Sequence, residues 1–211
     1  MRRLALTMMA GLLVASLVGG CGPAPPRATV TVFAAASLKK TFTVIGDEFT
    51  KANPGTTIEF SFGGSSDLVT QLTQGAHADV FASADTANMD KAAKAGLVAG
   101  DPVNFASNVL TIVVAPDNPQ QITSVADLAR PGLNVVVCAP QVPCGAATRR
   151  IETLTAVSLT PVSEESSVTD VLNKVTSGQA DAGLVYVTDA IGARDKVTVV
   201  AVPEASRAVN T

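Results

Sequence analysis

The chain has no tryptophan, a single tyrosine and a single histidine among 211 residues. Each shortage removes a class of function. With one tyrosine, seven phenylalanines and 4% aromatics in all, there is no stacking surface for bases or sugars. One histidine cannot make a His–His metal cluster and gives weak support to a catalytic triad. That residue, His77, reads as an exposed loop residue beside Gly75. Neither a Gly-x-Ser-x-Gly elbow nor a Cys-x-x-Cys pair occurs. Charge is sparse too, at 16% of residues with a formal net charge of −3. Arg2 and Arg3 lie in a segment expected to be removed, which leaves the remainder more acidic still. The basic footprint of a nucleic-acid binder is missing.

What is present begins with a targeting signal. Arg2-Arg3 form a charged start, and residues 4–18 an apolar run of signal-peptide length, too short for a typical spanning helix. Leu17-Val18-Gly19-Gly20-Cys21 resembles a bacterial lipobox, with Val18 as a mild departure. Residues 1–20 are thus expected to be a signal peptide. Residues 21–28 then hold a lipidated Cys21 and an extended, proline-stiffened tether. The protein is expected on the extracytoplasmic face of the membrane, periplasmic or cell-envelope, lipid-anchored; the alternative is a plain secreted protein.

Hydrophobic residues make up 47% of the chain, enough for one sizeable core or two small ones. Residues 29–33 alternate as a β-strand, Ala34-Ala35-Ala36 follow, and Leu38, Phe42, Ile45 and Phe49 then define one face of a helix. Ser37 stands where an N-cap belongs, above backbone N–H groups suited to an anion. The arrangement recurs. Residues 56–62 and 78–82 read as strands, and helices follow Ser65 and Asp85. The apolar runs 103–106 and 109–115 read as a long strand leaving the first sheet. A second set of units begins at Thr123, with strands over 134–138, 160–163, 181–186 and 197–202. Helices are expected over 124–129 and 145–154 and after Ser167-Val168-Thr169-Asp170, a start resembling a capping box. The reading is α/β: two lobes of mostly parallel sheet flanked by helices, with a cleft outside the carboxyl ends of the strands. Lobe one takes 29–106 plus 203–211, and lobe two takes 107–202.

Cys138 and Cys144 are six residues apart, with Pro140 and Pro143 bending the chain between them. An extracytoplasmic compartment permits a disulfide there. The alternative is a reactive thiol at Cys144, which precedes a helix.

Four turns into helices present small or hydroxyl residues: Ser37, Ser65, Cys144-Gly145 and Ser167-Val168. If they converge, they form a neutral, donor-rich cage suited to a fully deprotonated tetrahedral oxyanion. A protonated phosphate would leave its O–H unpaired there. Several segments carry a family resemblance: Val32-Phe33-Ala34-Ala35-Ala36-Ser37-Leu38, Ser61-Phe62-Gly63-Gly64-Ser65-Ser66, residues 78–85, Val142-Pro143-Cys144-Gly145 and Gly183-Leu184-Val185-Tyr186. Together they resemble the molybdate-binding proteins of ABC importers, the ModA family, over about residues 29–204.

That resemblance implies a type II periplasmic-binding-protein-like fold, a protein that is not an enzyme, and no cofactor. The ligand is molybdate, with tungstate expected too, and molybdenum is bound only as the oxyanion. The implied ligand shell is the hydroxyl and N–H of Ser37 and of Ser65, the N–H of Cys144 and of Val168, and the Tyr186 hydroxyl. The implied partner is an ABC permease, and the protein is expected to be a monomer that binds no nucleic acid. The family normally continues beyond the segment resembling Val202-Pro203-Glu204, so lobe one is expected to be incomplete and to expose apolar surface. Arg149-Arg150, Glu164-Glu165 and Asp181 read as solvated surface charges; the alternatives are contact with the anion for the arginines and docking on a permease for the acids. A receptor for sulfate or another small anion, and a non-transport surface lipoprotein, are the alternatives.

Overall fold

The computed structural model describes residues 28–211; the signal segment, Cys21 and the tether up to residue 27 lie outside the described residues. Ala28, expected to end the tether, is the first residue of strand β1, Ala28–Ala35. β1 is the middle of a parallel three-stranded sheet, between β2, Thr56–Gly63, and β3, Val80–Ala82. Its alternation divides two small cores. Val32 and Ala34 pack on one face with Leu38 and Phe42, and Phe33 packs on the other with Leu68 and Leu72. The register sets Ala35 beside Gly63 and Ala34 beside Ala82, so the carboxyl ends of all three strands finish together.

The helices of this lobe are α1, Lys39–Ala52, α2, Ser65–Thr73, and α3, Thr86–Lys94. Asp85 caps α3 as expected, accepting from the Asn88 N–H at 2.9 Å. Two expectations for α1 fail. Ser37 is not its cap but sits inside a 3-10 turn, Ala36–Leu38, with no side-chain capping bond. The apolar face is also only half used: Leu38 and Phe42 pack inward, whereas Ile45 is 53% exposed and Phe49 46%. The run at 103–106 is not a strand: among the described residues no strand pairs with it. Instead Phe105 lies against Phe42, ring centroids 6.0 Å apart.

The second sheet has five strands in the order β6-β5-β7-β4-β8. These are β4, Leu110–Val114, β5, Val135–Cys138, β6, Ser163–Glu165, β7, Ala182–Tyr186, and β8, Thr198–Val200. β5 pairs in parallel with β6 and β7, but β4 runs antiparallel to β7 and β8, so this sheet is mixed. β4, β5 and β7 are buried along their whole length, as continuous apolar runs should be. Over them pack α4, Pro143–Thr155, α5, Val168–Thr176, and α6, Val187–Ala193. The segment 124–129 forms only a 3-10 turn, Ala126–Ala129. Residues 203–208 do not join lobe one: Ala205 and Ala208 are 1% exposed within the core of the second lobe. Among the described residues no helix is long and apolar enough to cross a membrane.

The chain passes between the lobes through residues 95–109. There Asn108 and Asn210 pair as an isolated antiparallel bridge, with N–H···O distances of 2.9 and 3.0 Å.

Candidate functional site

Both sheets end their parallel strands toward each other. From the first come the turns after β1 and β2, and from the second the turns after β5, β6 and β7. Between them lies a small cavity of about 10 Å³, about what one water molecule needs. Ser37, Ser65, Cys144, Val168 and Tyr186 all line it, so the five residues singled out in the sequence come together. Larger hollows lie around it: one of about 270 Å³ shares Ser37, Ala84 and Tyr186 with it, one of about 560 Å³ shares Ala36 and Ser37, and one of about 760 Å³ beside Asn173 and Lys174 shares none of its lining.

Helix starts supply much of the lining. Ser65 opens α2, Pro143-Cys144 opens α4 and Val168 opens α5. The first N–H groups of any α-helix lack intrahelical acceptors, and the helix dipole makes that end favourable for negative charge. None of the residues lining the cavity carries a charged side chain.

The hydroxyls are polarised in one sense. Ser65 Oγ accepts the Ala84 N–H at 2.9 Å, which leaves its own proton for the cavity. Tyr186 Oη accepts from Asn210 Nδ2 at 2.6 Å, which does the same for the phenol. Tyr186 is 2% exposed, and burial raises its pKa above the ordinary phenol value, with the Asn210 hydrogen bond pulling the other way. The hydroxyl therefore stays protonated and able to donate. Ser167 also lines the cavity, but its proton is taken: its Oγ donates to Asp170 Oδ2 at 2.7 Å and accepts the Asp170 N–H at 3.2 Å.

Close approach is built into two glycines. A Cβ on Gly64 would stand 2.1 Å from the Ser166 carbonyl oxygen across the cleft, and one on Gly145 would stand 1.9 Å from that of Ala139. Gly64 thus lets lobe one touch lobe two, and Gly145 lets α4 start directly over the end of β5. Cys138 and Cys144 form a disulfide there, closing the turn that carries the Cys144 N–H. In this bonded form neither sulfur is a nucleophile.

The remaining sequence candidates lie elsewhere. His77 is exposed. Arg149 pairs with Glu152 at 3.5 Å, and Arg150 reaches the Asn210 side chain rather than the cavity. Glu165 holds Lys174 at 2.5 Å, and Asp181 accepts the Asn134 N–H at 2.8 Å. Among the described residues no cluster of three or more His, Cys, Asp or Glu is placed to hold a metal ion. Sequence reasoning missed Ala84 and Asn210, whose roles depend on contacts 19 and 24 residues away.

Residues 30–211 match the family model described as bacterial extracellular solute-binding protein. The molybdate-binding protein ModA of Mycobacterium tuberculosis H37Rv is 59% identical over 212 residues, covering 96% of this chain and 81% of that protein. This chain belongs to the ModA family. Two solved structures share the fold. The periplasmic molybdate-binding protein of Azotobacter vinelandii superposes with a TM-score of 0.65 at 24% identity, covering 74% of this chain and 71% of its own. The sulfate-binding protein SubI of M. tuberculosis gives 0.70 at 20% identity, covering 83% and 71%. ModA-family membership and the type II fold thus accord with the resemblance read from the motifs.

Proposed function

We propose that this protein captures molybdate outside the cytoplasm and delivers it to an ABC permease, without catalysing a reaction. The observation that carries the reading is the convergence of three helix starts and two outward-donating hydroxyls on one uncharged cavity. A fully deprotonated tetrahedral dianion accepts hydrogen bonds and donates none, which is what such a lining satisfies. The ligand shell is Ser37 and Ser65 through hydroxyl and N–H, Cys144 and Val168 through N–H, and Tyr186 through its hydroxyl. Tungstate has the same shape and charge and is expected to bind too. Hydrogen phosphate at neutral pH carries a proton that this lining cannot accept, and its O–H would be left unpaired at a cost of roughly 1–3 kcal/mol. The high identity to a protein named for molybdate favours molybdate over sulfate. Attachment through a lipidated Cys21, a monomeric state, and lobes hinged at the 95–109 crossing and the Asn108–Asn210 bridge complete the proposal.

Isothermal titration calorimetry with molybdate, tungstate, sulfate and phosphate tests it. Tight binding of the first two with weak or absent binding of the others is the expected result. Tight sulfate binding with weak molybdate binding would move the assignment to a sulfate receptor, and no heat from any anion in a folded protein would overturn the oxyanion reading.

A further inference from the structure

Asn210 is 4% exposed, and its side chain has donor-only and acceptor-only neighbours on opposite sides. Its Oδ1 accepts from the Arg150 guanidinium, which has no acceptor to offer. Its Nδ2 donates to the Pro143 carbonyl at 2.8 Å, which has no donor to offer. Those two contacts fix which way the amide faces, because the flipped amide would set oxygen against oxygen and N–H against N–H. With the amide fixed, the second Nδ2 proton goes to Tyr186 Oη at 2.6 Å. The phenol has one proton. With a donor already on its oxygen from this side, that proton is left to point into the cavity.

The backbone of Asn210 is held as firmly, paired in both directions with Asn108 on the crossing between the lobes. One residue therefore links the interlobe bridge, the first residue of α4 and the cavity tyrosine.

We propose that Asn210, oriented by Arg150, is a positioning residue that commits the Tyr186 hydroxyl to donate into the cavity, and so makes that corner of the site select an unprotonated oxyanion. The inference rests on the oxyanion reading above. It goes further by assigning selectivity to a side chain that does not touch the ligand.

Tyr186 is the only tyrosine and there is no tryptophan, so near-ultraviolet and Raman signals of the phenol report this one site without mutagenic clean-up. The experiment uses the wild type, Asn210→Ala, Asn210→Asp, Tyr186→Phe and the Asn210→Ala/Tyr186→Phe double variant, each checked for a native melt. Calorimetry with molybdate and with phosphate is run beside the tyrosine Raman doublet, which distinguishes a donating from an accepting phenol. The wild type alone tests the underlying reading: if it binds no oxyanion, that reading fails whatever the variants do.

Given wild-type binding, Tyr186→Phe and Asn210→Ala are each expected to weaken molybdate about 10-fold or more. The double variant should be no more than about twofold weaker than Tyr186→Phe alone, since Asn210 acts through the hydroxyl. In Asn210→Asp the carboxylate keeps Arg150 and takes the phenol proton, although the oxygen that replaces Nδ2 now faces the Pro143 carbonyl, which lowers the melt without changing these two contacts. The unliganded Raman signature should then become that of a donor, and the molybdate-to-phosphate preference should fall at least 10-fold. Full additivity in the double variant, or an Asn210→Asp protein with unchanged preference and unchanged doublet, would overturn the proposal. If Asn210→Ala does not fold, Asn210→Asp, which retains size and the Arg150 contact, decides alone.

Discussion

Replacing Ser65 with alanine removes a donor from the cavity and, at the same time, orphans the Ala84 N–H that its oxygen satisfies. A hydrogen bond to a charged ligand is worth about 1.5–3 kcal/mol, so Ser65→Ala should weaken molybdate roughly 10- to 100-fold by calorimetry. An unchanged affinity would remove Ser65 from the shell. A second residue acts on stability instead. Asp189 lies in the first turn of α6 with a buried Oδ2 that has no partner among the described residues, and burial raises its carboxyl from 3.8 to about 7, the Tyr186 backbone N–H opposing. Its folded pKa thus exceeds its unfolded one, so the folded state keeps the proton longer. Stability is highest below about pH 4 for this group and is lost as pH rises toward 7. The loss amounts to about 2–4 kcal/mol by proton linkage. Urea midpoints at pH 5 and pH 8 should therefore fall in the wild type and fall much less in Asp189→Asn. Parallel slopes in the two proteins would refute the assignment.

At the scale of elements, the parts that were legible in the sequence are those that local chemistry dictates. Ser65, Cys144, Val168 and Tyr186 each stand where a strand period changes to a helix period or ends, and the structure sets each at such a junction. Asp85 and Ser167 cap as their side chains demand. Misreadings arose where a neighbour decides. β6 is the polar run Ser163–Glu165, three residues later than the apolar register suggests; Lys174 holds Glu165 and the Ser163 hydroxyl on this edge strand. α6 follows Tyr186 with β-branched Val187 and Thr188 in its first turn, a weak helix signal that packing overrides. Phe49 has the right spacing but stays 46% exposed, outside the described core clusters. The Cys138–Cys144 bridge joins the end of β5 to the first turn of α4 across six positions, and so short a loop constrains the unfolded chain by about 2 kcal/mol. A Cys138→Ala/Cys144→Ala protein should melt lower in calorimetry. It should also bind molybdate several-fold more weakly, because the turn presenting the residue-144 N–H is no longer fixed. A lower melting temperature with full affinity would confine the bridge to stability.

For the whole molecule the decisive question is whether binding requires the lobes to meet as they do here, with Gly64 of one against Ser166 of the other. The cavity takes its lining from both sides, so a ligand that touches all of it favours the closed arrangement over any open one by its extra contacts. Ligand at about 1,000 times its dissociation constant then stabilises the folded protein by roughly 4 kcal/mol. In a chain of this size that is a rise of about 8–16 °C in melting temperature. Gly64→Ala separates closure from folding. The φ of Gly64 is −62°, ordinary for alanine, so lobe one should fold unchanged. The added methyl, however, would stand 2.1 Å from the Ser166 oxygen, and either that oxygen moves or the lobes stay apart. The variant should keep its ligand-free melting temperature, lose most of the molybdate-dependent rise and bind about 100-fold more weakly. Small-angle X-ray scattering supplies the direct measurement: the wild type should contract when molybdate is added and Gly64→Ala should not. A variant that contracts and binds like the wild type would mean that Ser166 yields readily, and that contact between the lobes at this point does not control capture.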